Sequence, residues 1–447
     1  MVKGRVIEPA DEDYDDARKI FYGGFDARPG AIVRAADADD VSRVVSFARD
    51  NGVELAVRSG GHSAAGHSTT EGGIVLDLGG LKALDIDVSG RAASVQPGVT
   101  ALEFTKAAAE HDLALGFGDA GSVGIGGITV GGGVGFLSRK VGLTIDSLLA
   151  AEVVAADGRI RTVDSQTEPD LFWAIRGGGG NFGVVTRLRF RLHEVPSIVG
   201  GLLVLPATAD VIASFIAEAE AAPDELSTIA NVMVAPPLPF IPEEAQGRPV
   251  IFALLTYAGD VSAGERAVEP FKHLASPLVD MVKPGKYPDM YMMEGDEEYH
   301  PTAVARTMFV DSIDRDVADL ILRRIEESDA PMRVAQLRAL GGAIAQVPTD
   351  ATAYAHRNSR IMVNLAAFYE GDEDKLIRTA WVEDFATALR QDDSGAYINF
   401  VTDEGAQRVR DAYPGNTWKR LVEIKRRYDP TNLFRLNHNI EPNSPRE

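Results

Sequence analysis

The chain contains no cysteine, and this absence excludes several kinds of chemistry. Without a thiol there can be no disulfide, no zinc or iron–sulfur centre held by cysteine, and no thiolate nucleophile. Positive charge is also in deficit, because 66 acidic residues against 45 basic ones give a net charge of −21. Such a chain is repelled by nucleic-acid phosphates and by anionic lipid, so neither a nucleic acid nor a membrane is expected as a partner.

Long apolar runs are missing as well. No segment approaches the roughly 18 apolar residues that a membrane-spanning helix needs, and the acidic residues 1–16 lack the features of a signal peptide. We therefore expect a cytoplasmic protein. We expect no metal site, because zinc-binding histidine patterns and EF-hand loops are absent. The acidic runs 11–16 and 294–298 are typical of solvated surface.

The remaining composition is that of an ordinary globular protein, with 45% apolar and 25% charged residues over 447 positions. This length predicts two or three domains. Helical and strand patterns follow one another without strict alternation, which favours an α+β fold. The predicted helices are 37–52, 101–113, 209–222, 314–328 and 375–391, and the predicted strands are 74–78, 184–192, 248–259 and 360–370, with a hairpin over 150–163.

Glycine is concentrated in a few segments, and ten of the twenty residues from 116 to 135 are glycine. Two stretches, 116–121 and 178–183, match G-x-G-x-x-G, but neither is predicted to join a strand to a helix as a Rossmann site requires. A glycine-dense backbone can still approach a ligand closely and present successive N–H groups to a diphosphate. We therefore predict that 58–63 and 121–135 form two walls around an extended anionic cofactor; tight turns without a ligand are the alternative.

The segment Arg58-Ser59-Gly60-Gly61-His62-Ser63 resembles the flavin-attachment motif of the berberine-bridge-enzyme-like branch of the vanillyl-alcohol-oxidase superfamily. Further segments that match this family lie at 123–154, 171–192, 397–405 and 428–442. Their sequence pattern is most similar to that of the bacterial 6-hydroxynicotine-oxidase-like type. The resemblance implies an α+β fold with a two-subdomain PCMH-type FAD-binding domain and an α+β substrate domain containing an antiparallel sheet. The implied boundaries are 1–198 for the FAD domain, 199–424 for the substrate domain and 425–447 for a C-terminal segment that returns to the FAD domain.

The resemblance also implies the cofactor and its contacts. FAD would be attached covalently through His62 alone, since the position of the second link in some relatives is Ala120 here. His67 is the rival histidine and is interpreted as a packed or surface residue. The implied cofactor-binding residues are Arg58, Ser59, Gly60, Gly61, His62, Ser63, Gly121, Ser122, Gly124, Gly126, Gly127, Thr129, Gly132, Gly135, Val185, Asn437 and Asn439.

The activity implied is that of an FAD-dependent oxidoreductase that takes hydride from a C–H bond next to oxygen or nitrogen of a small organic substrate. Val123 matches a position that gates oxygen access in some relatives, which favours an oxidase that reduces O2 to H2O2. A dehydrogenase with another electron acceptor and a ligand-sequestering flavoprotein remain alternative functions. The oligomeric state is left open between a monomer and a homodimer.

A proton acceptor is also needed beside the reacting carbon. Tyr397 matches the family tyrosine at the reacting centre, and His356 is the second candidate because its ordinary pKa lies near neutral pH. Tyr354 and Glu404 are further possibilities. A tyrosine-rich stretch, which contains Tyr287, Tyr291, Tyr299 and His300, is predicted either to line a pocket or, with slight preference, to cover an apolar seam.

Overall fold

In the computed structural model, which describes residues 2–291 and 300–443, the first half of the chain builds two small sheets. The first sheet has the order β1-β2-β4-β3; the strands β2, β4 and β3 are parallel, and β1 is antiparallel to β2 at one edge. The helix α2 covers it, and its ends follow the sequence signals: the Asp37 carboxylate accepts from the Asp40 N–H, and Gly52 adopts the left-handed conformation (φ 64°). The elements are β1 (Arg5–Ile7), α1 (Tyr14–Ala17), β2 (Ala31–Arg34), α2 (Ala38–Asn51), β3 (Leu55–Arg58) and β4 (Ile74–Asp77).

The second sheet is antiparallel, with the order β5-β6-β10-β8-β9, and β7 pairs separately with β11. The predicted hairpin over 150–163 is confirmed as β8 and β9. The elements are β5 (Leu84–Asp87), β6 (Ala92–Val95), α3 (Ala101–Ala109), β7 (Leu113–Ala114), α4 (Ile125–Val130), α5 (Ser138–Val141), β8 (Leu148–Val154), β9 (Ile160–Asp164), α6 (Pro169–Ala174), β10 (Val184–Arg191) and β11 (His193–Glu194), with 3-10 turns at Thr144–Ser147 and Gly179–Phe182.

A large antiparallel sheet follows, with helices packed on one face. Its strand order is β15-β12-β14-β13-β18-β19-β17, and β16 also pairs with β12. The elements are β12 (Ile198–Pro206), α7 (Ala209–Ala221), β13 (Leu226–Val234), β14 (Pro249–Ala258), α8 (Val261–Lys272), β15 (Val279–Asp280), β16 (Lys283–Gly285), a 3-10 turn (Tyr287–Tyr291), β17 (Ala303–Val310), α9 (Arg315–Glu327), β18 (Arg333–Ala339), α10 (Ala343–Gln346), β19 (Ile361–Phe368) and α11 (Gly371–Leu389).

The C-terminal part of the chain returns to the first half. Its elements are a 3-10 turn (Ile398–Phe400), α12 (Ala406–Ala412) and α13 (Asn416–Tyr428). Side chains from Ala396 onward belong to the core of the second sheet, so these contacts begin before residue 425, where the sequence predicted the segment to start. Buried Lys425 donates to the carbonyl oxygens of Asn181 and Phe434, which ties the segment to the glycine-rich turn at 179–182.

Local structure departs from the simplest sequence patterns at three places. The helix predicted over 101–113 ends at Ala109. The glycine run at 121–135 contains α4, although glycine is a poor helix former. Residues Ile398–Phe400 form a 3-10 turn, which is held by bonds from the side chains of Tyr397 and Asn399 to the backbone of residues 128–134. Within the described part of the chain, no helix is both long and apolar enough to cross a membrane.

Candidate functional site

A cavity of about 540 Å³ lies between the glycine-rich segments and the large antiparallel sheet, a size typical of small-molecule sites. The structure brings most of the predicted cofactor residues to its wall, namely Ser59, Gly60, Gly61, His62, Ser63, Gly124, Gly126, Gly127, Val185 and Asn437. Others do not line it: Arg58, Gly121, Ser122, Thr129, Gly132, Gly135 and Asn439. The two predicted walls therefore face one shared space.

The two glycine segments pack backbone against backbone. A Cβ on Gly60 would lie 2.3 Å from the Gly124 nitrogen, and a Cβ on Gly124 would lie 2.4 Å from the Gly60 nitrogen. A Cβ on Gly127 would meet no protein atom within 4 Å. The Ser59 hydroxyl donates to the Pro97 carbonyl (2.6 Å) and fixes the start of the first segment. Glycine is thus required at 60 and 124 for close approach, while Gly127 leaves space open at the cavity wall.

The predicted residues outside the wall support it from behind. The buried Arg58 guanidinium bonds to Asp77 (3.0 Å) and to the Ala17 carbonyl (2.7 Å), so it positions the turn that follows β3. The Thr129 hydroxyl donates to the Ile125 carbonyl within α4. Gly135 packs against the carbonyl oxygens of Phe117 and Gly118, where a Cβ would clash.

His62 faces the cavity with a constrained ring. It stacks on Phe21, with ring centroids 4.0 Å apart and planes 19° apart. Burial lowers the pKa of His62 to about 4. The imidazole is therefore neutral at pH 7; one nitrogen carries the bonded hydrogen and the other keeps its lone pair. Such a ring is a competent nucleophile.

Two further histidines line the cavity. His67, interpreted from the sequence as a packed or surface residue, lies edge-on to His438 with ring centroids 5.0 Å apart. Burial lowers the pKa of His67 to about 4 and that of His438 to about 3. His438 was missed, although it stands between Asn437 and Asn439 in a segment that the sequence singled out. The Oδ1 atoms of both asparagines are buried without a hydrogen-bond partner.

Tyr397 lies in the cavity wall with three N–H groups directed at its phenol oxygen. The donors are the backbone nitrogens of Gly133 (2.9 Å) and Val134 (3.1 Å) and the Asn399 amide (2.9 Å). Burial raises the pKa of Tyr397, and these donors oppose that rise. A neutral hydroxyl has two lone pairs, so three donors suit the deprotonated oxygen better. The three donors thus stabilise negative charge on the phenol oxygen and offset part of the effect of burial on its pKa.

The other proton-acceptor candidates do not line the cavity. His356 is buried against Phe309, with ring centroids 4.9 Å apart, and its Nε2 bonds to the Ala412 carbonyl (3.1 Å). We therefore correct its predicted place: packing holds it behind the cavity wall. Tyr354 packs edge-on against Tyr397, and Glu404 forms ion pairs with Arg306 and Arg408 (3.4 and 3.6 Å).

The tyrosine-rich stretch covers an apolar seam. Tyr287 and Tyr291 are buried together with Phe136 in one cluster, and their hydroxyls bond to each other (2.9 Å). His300 is exposed, with its Nδ1 3.1 Å from the Phe21 carbonyl oxygen. Tyr299 and the acidic run 294–298 lie outside the described residues.

Sequence reasoning missed the polar residues that the large sheet contributes. Gln336, Arg338 and Asn364 line the cavity from β18 and β19, and Asp119 faces them from the glycine-rich half. The only available signal was the alternation of polar and apolar residues in Val334–Ala339, which matches no known motif. A sheet face becomes a site only when its register is known, and the sequence does not show that register.

Comparisons with known proteins agree with this arrangement. The FAD binding domain family matches residues 29–164, and the berberine and berberine-like family matches residues 396–441. (R)-6-hydroxynicotine oxidase of Paenarthrobacter nicotinovorans is 30% identical over 99% of this chain and 97% of its own length. An uncharacterized FAD-linked oxidoreductase of Bacillus subtilis (strain 168) is 32% identical over 99% of each chain. The crystal structure of 6-hydroxy-D-nicotine oxidase from Arthrobacter nicotinovorans superposes with a TM-score of 0.89 at 27% identity, over 99% of this chain and 98% of that one.

Proposed function

Because this chain belongs to the family of FAD-linked oxidoreductases with a berberine-like C-terminal segment, we propose that it is an oxidase of a small organic substrate. It oxidises a C–H bond next to oxygen or nitrogen, and O2 accepts the electrons to give H2O2. The observation that carries this proposal is the single cavity in which the glycine walls, His62 and Tyr397 meet the large sheet.

The residues of the cavity fit FAD on two observations. First, the glycine segments form a cradle in which Gly127 leaves room that a side chain would fill. Second, the Oδ1 atom of Asn437 is a buried acceptor in the cavity wall without a donor, and the flavin ring system offers one. The segments 59–63 and 124–127 would hold the diphosphate through backbone N–H groups. When bound, FAD supplies the hydride acceptor.

The side chains of this chain supply attachment and proton transfer. We assign covalent attachment to His62, whose neutral ring lines the cavity and keeps one unprotonated nitrogen. We assign proton acceptance from the substrate O–H or N–H to Tyr397, because the three N–H donors around its oxygen stabilise negative charge there. His356 is left with a packing role, since its ring bonds to the Ala412 carbonyl behind the wall.

One residue of the cavity wall bears on the electron acceptor. Val123 lines the cavity and is small, which leaves space for O2 beside the cofactor site.

A substrate screen tests the assignment. Purified protein is mixed with panels of alcohols, amines and sugars, and oxygen consumption and peroxide release are recorded together. An oxidase consumes one O2 for each H2O2 formed. Turnover only with an artificial electron acceptor would show a dehydrogenase instead, and tight binding of a flavin-perturbing ligand without any turnover would show a sequestering flavoprotein.

A further inference from the structure

Four polar side chains form one row across four neighbouring strands of the large sheet. In the strand register, Asn231 of β13 pairs with Gln336 of β18, Gln336 pairs with Asn364 of β19, and Asn364 pairs with Thr307 of β17. Gln336 and Asn364 line the cavity, whereas the residues on either side of Gln336 belong to the helix-covered core. The sheet therefore presents a polar band to the space where a substrate would lie.

One arginine next to this band is held in place by a chain of hydrogen bonds. Arg338 is 3% exposed, and its Nη2 donates to the Asp119 carboxylate (2.5 Å). Its Nε and Nη2 both donate to Gln336 Oε1 (2.9 and 2.6 Å), and Gln336 Nε2 donates to Asn231 Oδ1 (3.0 Å). The guanidinium thus has a fixed orientation at the junction between the sheet and the glycine-rich half.

The cavity wall is electrically neutral. Among the described residues that line it, Arg338 and Asp119 are the only lysine, arginine, aspartate or glutamate residues, and they neutralise each other. Burial keeps the pKa values of the lining histidines low, so these rings carry no charge at pH 7. On the side of the wall formed by the large sheet, an additional charge beside the Arg338–Asp119 pair would have no counter-ion, which is costly away from water.

The polar band and the neighbouring Arg338 contain both donors and acceptors that have no hydrogen-bond partner. Arg338 Nη1 is a buried donor without a partner, and Asn364 Oδ1 is a buried acceptor without one. Leaving such groups unpaired is unfavourable, so a ligand that pairs them gains affinity. A carboxylate only accepts and an ammonium only donates, whereas a hydroxyl or carboxamide does both.

We propose that Arg338 and Asn364 form a polar subsite that selects uncharged hydroxyl- or amide-bearing substrates over carboxylates and ammonium ions, with Asp119 positioning and neutralising Arg338. This inference rests on the proposed function, because it assigns the substrate to the same cavity. Asp119 and Arg338 are specificity-determining residues in this arrangement, and neither is required to accept a proton.

Three ligands of one shape and different charge test the subsite: benzoate, benzamide and benzamidinium. None has a C–H bond next to a hydroxyl or amine on saturated carbon, so titration of the flavin absorbance reports binding apart from turnover. The wild type is expected to bind benzamide at least about tenfold more tightly than either ion, a difference of about 1.4 kcal/mol. Asp119→Asn, which is isosteric, is expected to improve benzoate binding by at least about tenfold. Arg338→Met is expected to improve benzamidinium binding by a similar factor.

Asp112→Asn is the matched control, because it removes the same charge from an exposed ion pair with Lys286 away from the cavity wall. Its three dissociation constants should equal those of the wild type. Benzoate binding as tightly as benzamide to the wild type, Asp119→Asn without a gain for benzoate, or no spectral change with any probe in any variant would each overturn the subsite. A colourless protein would instead overturn the proposed function, so the two failures are distinguishable.

Discussion

Replacing Lys425 by methionine is expected to loosen the C-terminal wall of the cavity. The Lys425 ammonium and the Asp429 carboxylate are both fully buried and lie 2.7 Å apart. The same ammonium donates to the carbonyls of Asn181 (2.9 Å) and Phe434 (3.1 Å), while Asp429 accepts from the backbone N–H groups of Leu433 and Phe434. The pair therefore fixes the start of the segment that carries Asn437 and His438 to the cavity.

The size of the effect follows from the charge left behind. Breaking a buried pair by removing one partner costs roughly 3–5 kcal/mol, because the other charge stays buried without compensation. In an FAD domain of roughly 200 residues that unfolds as one unit, such a loss lowers the unfolding midpoint by roughly 10 °C. Burial lowers the pKa of Lys425 and Asp429 opposes that shift, so the ammonium depends on its partner.

Thermal unfolding, monitored by the increase in flavin fluorescence, measures this loss of stability. Lys419→Met is the matched control, since Lys419 lies exposed on the same helix, α13. The double variant Lys425→Met/Asp429→Asn removes both charges and should be less destabilised than Lys425→Met alone. A Lys425→Met midpoint equal to that of the control, or a double variant less stable than the single one, would refute the reasoning.

Three further outcomes are expected. Gly124→Ala should lower flavin content and unfolding midpoint, while Gly127→Ala should fold normally, which absorbance and thermal unfolding distinguish. Tyr397→Phe should lower kcat about 10²–10⁴-fold with little change in KM, measured on a substrate from the screen. The low pKa values of His67 and His438 in the folded state mean that the unfolded chain binds more protons, so the free energy of unfolding should fall as the pH drops below about 6.5. Asparagine at both positions should make the free energy of unfolding less dependent on pH, which unfolding curves recorded at acid pH measure. A flat wild-type profile, a fully active Tyr397→Phe or an unaffected Gly124→Ala would contradict the respective argument.

The sequence predicted those features that depend on residues close together in the chain or on a local motif. Asp37 and Gly52 bracket α2 because a cap and a left-handed residue act within one turn of the chain. The glycine walls were predictable because close backbone approach depends on the missing Cβ at positions such as Gly60 and Gly124. His62 was predicted as the attachment residue because it follows two glycines in a motif that resembles a known family's motif.

The features that the sequence did not predict depend on contacts between distant residues. Arg338 meets Asp119 across 219 positions of the chain, and no local pattern links them. The turn at Ile398–Phe400 is extended in propensity but bonds through side chains to the glycine run. The ordinary pKa of histidine suits a proton acceptor at neutral pH, but packing against Phe309 places the His356 ring away from the cavity.

The proposed covalent attachment of FAD through His62 can be measured by acid precipitation of the purified protein followed by peptide mass analysis. The flavin should remain in the protein pellet, and the peptide that contains His62 should carry the mass of the cofactor. In His62→Ala the flavin should pass into the supernatant. Release of all flavin from the wild-type protein, or a flavin mass on a peptide without His62, would show that His62 does not hold the cofactor covalently.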